Sequence, residues 1–179
     1  MLRDLKNDAA AAAKYRPDPA RVVLVAEAPP CVAERYFYFA DVSQGDALWL
    51  ETMKAAFGDA LPKDAKQVRA DKARWLRRFA DGGGLMFDLV REGFPEDWTD
   101  KRRVMQIRAS AADAVSRIRA LDPELVVLVK KTVWEGFADA ARAAGLPVLQ
   151  TVAVPFPGSG NQAKFQSAMR DLGFARFFA

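Results

Sequence analysis

The chain has no histidine, a single cysteine and no long hydrophobic run. Without histidine, catalysis cannot use the side chain that most often serves as a general acid or base. The single cysteine, Cys31, excludes an internal disulfide and any iron–sulfur or zinc site with four cysteine ligands. No apolar run approaches the roughly 20 residues of a membrane helix, and no signal-peptide h-region is present. We therefore expect a cytoplasmic protein with no membrane partner, no metal and no cofactor.

The length and composition fit one globular domain that covers residues 1–179. The net charge is +4 and the isoelectric point is near 9.3, which is compatible with an anionic partner. Basic residues concentrate in two segments, Arg69, Lys72, Arg74, Arg77 and Arg78, then Lys101, Arg102, Arg103 and Arg108. Such clusters either follow the phosphates of a nucleic acid or lie on solvated helix faces.

Short apolar strands alternate with helical segments along the chain. The predicted strands cover residues 21–26, 85–90, 125–129 and 147–154. The predicted helices cover residues 2–14, 46–57, 71–80, 110–121, 132–145 and 161–172, with a loop over 93–100. Short β-branched runs are typical of strands buried on both faces, and the alternation favours a parallel sheet between helix layers. The predicted fold class is α/β.

Two acidic residues stand at or near the ends of predicted strands. Glu27 comes directly after the run 21–26, and Pro29 and Pro30 make the turn behind it rigid. Because open α/β folds bind ligands at the carboxyl ends of their strands, Glu27 is a candidate catalytic residue; otherwise it braces a loop or caps a helix. Asp88, the second candidate catalytic residue, interrupts the second apolar run, where an unpaired carboxylate is costly. It either faces the cleft and contacts the edge of a base, or pairs with an arginine.

Two loops contain candidate binding residues. Residues 36–39 have the sequence Tyr-Phe-Tyr-Phe, which could stack on a base or belong to the core. Residues 155–162 combine prolines and glycines before a helix whose predicted cap is formed by Ser159 and Gln162. Backbone amides at such a helix start could hold a phosphate. The chain has neither a P-loop nor a G-x-G-x-x-G after its first strand, so the cofactors bound by those motifs are not expected.

These loops, taken in this order, resemble the motifs of the uracil-DNA glycosylase superfamily. Ala26-Glu27-Ala28-Pro29-Pro30 resembles the Gly-Glu-Ala-Pro-Gly form of the first motif. Val154-Pro155-Phe156-Pro157 stands where the family has its His-Pro-Ser second motif, and Phe87-Asp88 falls near the strand that carries a base-recognising asparagine. The resemblance spans roughly residues 20–172. It implies a three-layer α/β/α sandwich with a four-stranded parallel sheet.

The resemblance also implies a pocket that receives a base flipped out of DNA. Glu27 would shape this pocket near the scissile bond, and Asp88 would face the polar edge of the base. The implied base-binding residues are Ala26, Pro29, Phe37 and Tyr38. The implied DNA-binding residues are Pro155, Pro157, Gly158, Ser159, Gly160 and Asn161. Within that loop, Ser159 would contact a phosphate.

Departures from the family pattern bear on activity. Val154 replaces the histidine that stabilises the charge on the departing base, and losing such a group costs about 10²–10⁴ in rate. Asp88 replaces an asparagine and could donate to a base carbonyl only when protonated. Ala28 replaces the water-activating aspartate of the best-known members. The sequence favours a DNA glycosylase, with a non-catalytic nucleic-acid- or nucleobase-binding protein as the alternative and a small-molecule or protein-interaction module as a third interpretation.

Overall fold

A parallel sheet forms the centre of the fold. The computed structural model describes residues 5–32, 35–41 and 45–179. Within them the sheet has three strands, β1 (Val22–Ala26), β2 (Gly84–Asp88) and β3 (Leu125–Leu128). Their spatial order is β2–β1–β3, and β1 is parallel to both neighbours. Ala26 at the end of β1 lies beside Asp88 at the end of β2, so the carboxyl ends of these strands share one edge of the sheet.

Seven α-helices surround the sheet in the described part of the chain. They are α1 (Leu5–Ala13), α2 (Ala47–Phe57), α3 (Ala65–Ala70), α4 (Lys72–Asp81), α5 (Asp100–Arg119), α6 (Lys131–Ala143) and α7 (Gln162–Asp171). Two 3₁₀ turns follow α2 and α7, at Gly58–Ala60 and Phe174–Phe177. The polar stretch that holds α3 gave no helical signal, and this helix was not predicted.

Both faces of the sheet are buried, each against its own set of helices. Alternate side chains of a strand point to opposite faces, so Val22 and Leu24 enter one core while Val23 and Val25 enter the other. The first core includes α2, α4 and α7, and the second includes α5 and α6. Burial on both faces explains why the strands are continuous apolar runs rather than alternating patterns.

Helix α5 begins earlier than predicted. The sequence indicated a loop over 93–100 and a helix starting near residue 110, but α5 starts at Asp100. Thr99 caps it, because its Oγ1 accepts a hydrogen bond from the Arg102 backbone N–H at 3.3 Å. The buried positions of the helix recur at intervals of three or four residues, at Val104, Ile107, Ala111, Ala114 and Ile118. The charged side chains between Asp100 and Arg108 obscured that spacing.

The fourth strand predicted over 147–154 is absent, so the four-stranded sheet was wrong. The segment makes one isolated bridge to the sheet, between Val129 and Val154. The side chain of Gln150 takes the place of a strand beside Leu128: its Oε1 accepts from the Leu128 N–H at 2.7 Å, and its Nε2 donates to the Leu128 carbonyl at 2.8 Å. Pro147, which has no backbone N–H, cannot complete a ladder. The edge of β3 is therefore satisfied by the Gln150 amide together with backbone groups of Pro147 and Val154.

Replacing Gln150 with leucine is expected to lower the free energy of unfolding by about 1–3 kcal/mol. The reason is that the buried Leu128 N–H would lose its acceptor while the side-chain volume stays similar. Urea unfolding of the two proteins measures the difference. Gln106→Leu, at an exposed position of α5, is the matched control. Equal losses in both variants would mean that the amide of Gln150 does not support the sheet edge.

Candidate functional site

A cavity of about 640 Å³ lies at the carboxyl ends of the strands. Ala26 and Asp88, partners in the strand register, contribute to its wall, as does Val129 directly after β3. The turn after β1, the start of α2, the loop before α7 and single residues of α3 and α5 also contribute to the lining. Open parallel sheets bind their ligands at this edge, and cavities of this size hold ligands of nucleotide dimensions.

Glu27 lies in the cavity wall with both carboxylate oxygens engaged. Its Oε2 accepts from the Lys130 Nζ at 2.6 Å and lies 3.5 Å from an Arg103 nitrogen. Its Oε1 accepts a hydrogen bond from the Thr132 hydroxyl. The side chain is only 11% exposed. These residues form the Glu27 centre, in which one carboxylate lies between two cations and the net charge is positive.

Lys130 holds an uncommon backbone conformation within the Glu27 centre. Its φ is 84° and its ψ is 145°. Residues other than glycine rarely adopt this backbone conformation, which costs about 1–3 kcal/mol. The Lys130 backbone N–H donates to the Val154 carbonyl at 2.7 Å, which helps to hold this geometry. Because such conformations concentrate at functional sites, the strain supports a functional reading of this strand end.

Arg103 reaches Glu27 from the first turn of α5 with its guanidinium fixed in place. Its Nε donates to the Trp98 carbonyl at 3.1 Å, and its Nη2 donates to the Pro95 carbonyl at 3.4 Å. Its Nη1 faces Glu27 at 3.5 Å. All three nitrogens therefore already face protein acceptors, and Arg103 acts as a fixed positive charge in the cavity wall.

A second charged cluster, the Asp46 centre, consists of Asp46, Arg69 and Lys72. The Asp46 Oδ1 accepts from the Arg69 Nε at 2.8 Å, and its Oδ2 accepts from the Lys72 Nζ at 3.3 Å. The side chains of Asp46 and Lys72 are fully buried, whereas that of Arg69 is 20% exposed. Asp46 and Arg69 line the cavity. This centre also has two cations for one carboxylate, so a second positive charge stands in the same cavity.

Burial shifts the titration of Lys72. Desolvation lowers the pKa of its ammonium from 10.5 to about 8, although the charge of Asp46 opposes this shift. The Nζ lies 4.7 Å from the centre of the Trp49 ring, where a cation is attracted by the aromatic face. At neutral pH the Lys72 ammonium of the Asp46 centre therefore stays charged, although its burial makes that charge unfavourable.

The predicted base-binding residues divide between the cavity and the core. Ala26, Pro29 and Phe37 line the cavity, together with Glu27 and Asp88. Tyr38 does not: it is buried, and its hydroxyl donates to the Met86 carbonyl at 3.1 Å and accepts from the Met86 N–H at 2.8 Å. Burial raises the pKa of the Tyr38 phenol, and the charge of Asp88 adds to this shift. Tyr38 thus braces β2 from the core.

The predicted DNA-binding loop reaches the cavity with part of its length. Gly158 and Ser159 line the cavity, with Phe156 between the two prolines, whereas Pro155, Pro157, Gly160 and Asn161 are outside the lining. Ser159 and Gly160 have positive φ values of 52° and 83°. The predicted cap by Ser159 and Gln162 was wrong: Asn161 is the N-cap of α7, and it makes no side-chain capping bond.

The two basic segments contribute one residue each to the cavity. Arg69 comes from the first segment and Arg103 from the second. Other members stack on aromatic rings: Arg74, Arg77 and Arg78 lie over the rings of Trp75, Tyr15 and Phe57, respectively. The first segment therefore contributes to the cavity wall through Arg69. Three of its other cationic side chains lie over aromatic rings instead.

Several residues of the site were not recognised in the sequence. Lys130 and Thr132 follow β3 as Glu27 follows β1, so the same strand-end argument could have found them. Asp46 and Arg69 carried no comparable signal, because neither stands at the end of a strand. Their pairing arises only when α2 and α3 pack together.

Comparison of the chain with protein-family models, curated proteins and solved structures gave no match. Among the described residues, no group of three or more histidine, cysteine, aspartate or glutamate side chains could hold a metal ion. Nor does that part of the chain contain a helix with the length and apolar character needed to cross a membrane. The argument for a function therefore depends on the cavity and its charges.

Proposed function

We propose that this chain is a uracil-DNA glycosylase-like protein that receives a base of DNA in the cavity and hydrolyses its N-glycosidic bond. The observation that carries the proposal is that three separate segments of the chain meet at one cavity. The loop after β1, the end of β2 and the loop before α7 were each singled out by the resemblance, and residues of all three line one cavity. Loops at the carboxyl ends of parallel strands meet at one edge of any such sheet, so it is the order of the motifs together with the shared cavity that supports the proposal.

The fold supports the same proposal. Helices cover both faces of a parallel sheet, which is the arrangement expected of an α/β/α sandwich. The segment 147–154 runs along the free edge of β3 and contacts it through Gln150 and Val154, so it occupies the place of the fourth strand. We therefore interpret the domain as a sandwich whose fourth strand has been replaced by an irregular segment.

The charges of the Glu27 centre suit the proposed reaction. The C1′–N bond would break with both electrons leaving on the base, and a water oxygen would then add to C1′ while its proton passes to the base. The sugar acquires oxocarbenium character, which a carboxylate stabilises electrostatically. The base acquires negative charge, which Lys130 and Arg103 stabilise. In this mechanism Lys130 and Arg103 supply the positive charge that the glycosylase family obtains from its second-motif histidine, which Val154 replaces in this chain.

Glu27→Gln is expected to slow base release about 100-fold, because the sugar cation would lose its only opposing charge in the Glu27 centre. The measurement is a single-turnover assay with enzyme in excess. Labelled oligonucleotides would carry uracil, hypoxanthine or xanthine, in single-stranded and duplex form, and alkali would cleave the abasic product.

The matched control is Glu135→Gln, which removes an exposed carboxylate from α6 and leaves the cavity intact. It is expected to release base at the wild-type rate. Circular dichroism would establish that both variants are folded. If Glu27→Gln releases base as fast as the wild type, Glu27 has no part in the reaction.

A second candidate function, base binding without cleavage, is favoured by the hydrogen bonds of Glu27. Thr132 and Lys130 already donate to its two oxygens, which lowers its capacity to take a proton from water. The same assay separates the two functions. Salt-dependent binding of the oligonucleotides with no base release from any of them would identify a DNA-binding protein.

A further inference from the structure

We propose that Arg69 binds a phosphate group of the nucleotide whose base enters the cavity. The proposal rests on the proposed function for the identity of the ligand, and on the Asp46 centre for the position of the phosphate. Nothing in the sequence resemblance points to this residue.

The guanidinium of Arg69 is held at one end and open at the other. Its Nε donates to Asp46, and in the described part of the chain its Nη1 and Nη2 have no hydrogen-bond acceptor. An arginine fixed through Nε presents its terminal nitrogens as a preorganised fork, which suits two oxygens of a phosphate. Its place in the cavity lining makes that fork accessible to a ligand.

Lys72 makes the Asp46 centre positive. With Arg69 alone, Asp46 would form a neutral pair, but the buried ammonium of Lys72 adds a second cation at 3.3 Å. An uncompensated positive charge in a wall of low polarity attracts an anion strongly. Lys72 itself lies outside the cavity lining, so it acts through Asp46 as a positioning residue.

Trp49, beside the Asp46 centre, has a donor that is unpaired within the described ranges. It lines the cavity next to the Asp46 centre, and it is 1% exposed. Its indole Nε1 is buried without a hydrogen-bond partner among the residues that the structure describes. Buried donors are nearly always paired. However, the indole Nε1 of Trp75, which is outside the cavity lining, is unpaired as well in the described part of the chain, so the Trp49 donor is compatible with a ligand oxygen and is not by itself evidence for one.

The two cations of the Glu27 centre are less suited to this role, and Arg35, which also lines the cavity, is exposed. Arg103 already faces the carbonyls of Trp98 and Pro95 with two nitrogens, and Glu27 with the third. Lys130 is tied to Glu27 at 2.6 Å. Arg69 is therefore the arginine in these two centres whose donors are open to a phosphate.

Calorimetry with deoxyuridine and deoxyuridine 5′-monophosphate tests the proposal. The wild type is expected to bind the monophosphate at least tenfold more tightly than the nucleoside, and Arg69→Gln is expected to reduce that ratio to below about twofold. Lys66→Gln, which removes an exposed charge from the same helix, keeps the wild-type ratio. Arg69→Lys serves as the second variant if the glutamine variant is unfolded: it keeps the charge but loses the fork, so its ratio also falls.

A single-stranded oligonucleotide distinguishes a free nucleotide from a strand as the source of the phosphate. If a strand supplies it, Arg69→Gln lowers the slope of log affinity against log salt by about one. An unchanged nucleotide ratio together with an unchanged slope overturns the proposal.

Titration with inorganic phosphate alone separates this proposal from the glycosylase proposal. Phosphate binding that requires Arg69, with no base release from any oligonucleotide, refutes the glycosylase and leaves the phosphate site standing. Base release that requires Glu27, with phosphate binding indifferent to Arg69, refutes the phosphate site alone.

Discussion

Replacing Asp46 with alanine is expected to lower the free energy of unfolding by about 3–5 kcal/mol, which is the cost of breaking a buried ion pair by removing one partner. The side chains of Asp46 and Lys72 are fully buried, so the variant would leave the Lys72 amine in the core without its counterion, and that amine must either carry an unpaired charge or release its proton. Arg69 would also lose the acceptor of its Nε. Chemical denaturation at pH 7 measures the loss.

Two further variants make this result specific to the ion pair. Asp71→Ala removes an exposed carboxylate that makes no capping bond at the start of α4, and it is expected to change stability by less than about 0.5 kcal/mol. In the double variant, Lys72→Met should recover part of the loss, because no buried ammonium remains. A loss below about 1 kcal/mol in Asp46→Ala would contradict the structure of this centre.

The strands could be predicted because their burial is visible locally. β1, β2 and β3 are packed on both faces, so each is a short apolar run in the sequence. The same rule failed for residues 147–154, which are apolar enough for a strand. There a glutamine side chain replaces the backbone ladder, and composition contains no signal for that substitution.

The site could be predicted only where it follows the ends of strands. Glu27 was found because a carboxylate after a buried strand is conspicuous, but its partners Lys130 and Arg103 lie far away in the chain. Asp46 and Lys72 are 26 residues apart and looked like ordinary charges on helix surfaces. Which charge is buried and what it pairs with are decided by helix packing, which the local pattern does not encode.

Those buried charges also explain why the first basic segment does not form one charged surface. The first basic segment was interpreted either as a surface that follows phosphates or as solvated helix faces, yet Lys72 is in the core and Arg74, Arg77 and Arg78 cover aromatic rings. The residue of that segment with donors open to the cavity is Arg69. A single well-placed arginine therefore matters more to the proposed binding than the net charge of the segment.

The stability of the wild type is expected to rise by about 3 kcal/mol as the pH increases from about 8 to about 10.5, relative to Lys72→Met. Burial lowers the pKa of Lys72 from 10.5 to about 8, and each unit is worth about 1.4 kcal/mol. In this window the unfolded chain still binds the proton that the folded chain has released, so the free energy of unfolding increases with pH. Below about pH 8 both states are protonated and the cost of burying the charge is paid in full.

The quantity to measure is the difference in the free energy of unfolding between the wild type and Lys72→Met at each pH. The other lysines and tyrosines are the same in both proteins, so their contributions cancel in this difference. Asp46 and Arg69 are the charged groups that act on Lys72. Lys66→Met, at an exposed position of α3, should give a curve parallel to the wild type. A Lys72→Met curve that is also parallel to the wild type would mean that the ammonium is solvated in the folded protein. The Asp46 centre would then carry no excess buried charge, and the physical basis for an anion at Arg69 would be lost.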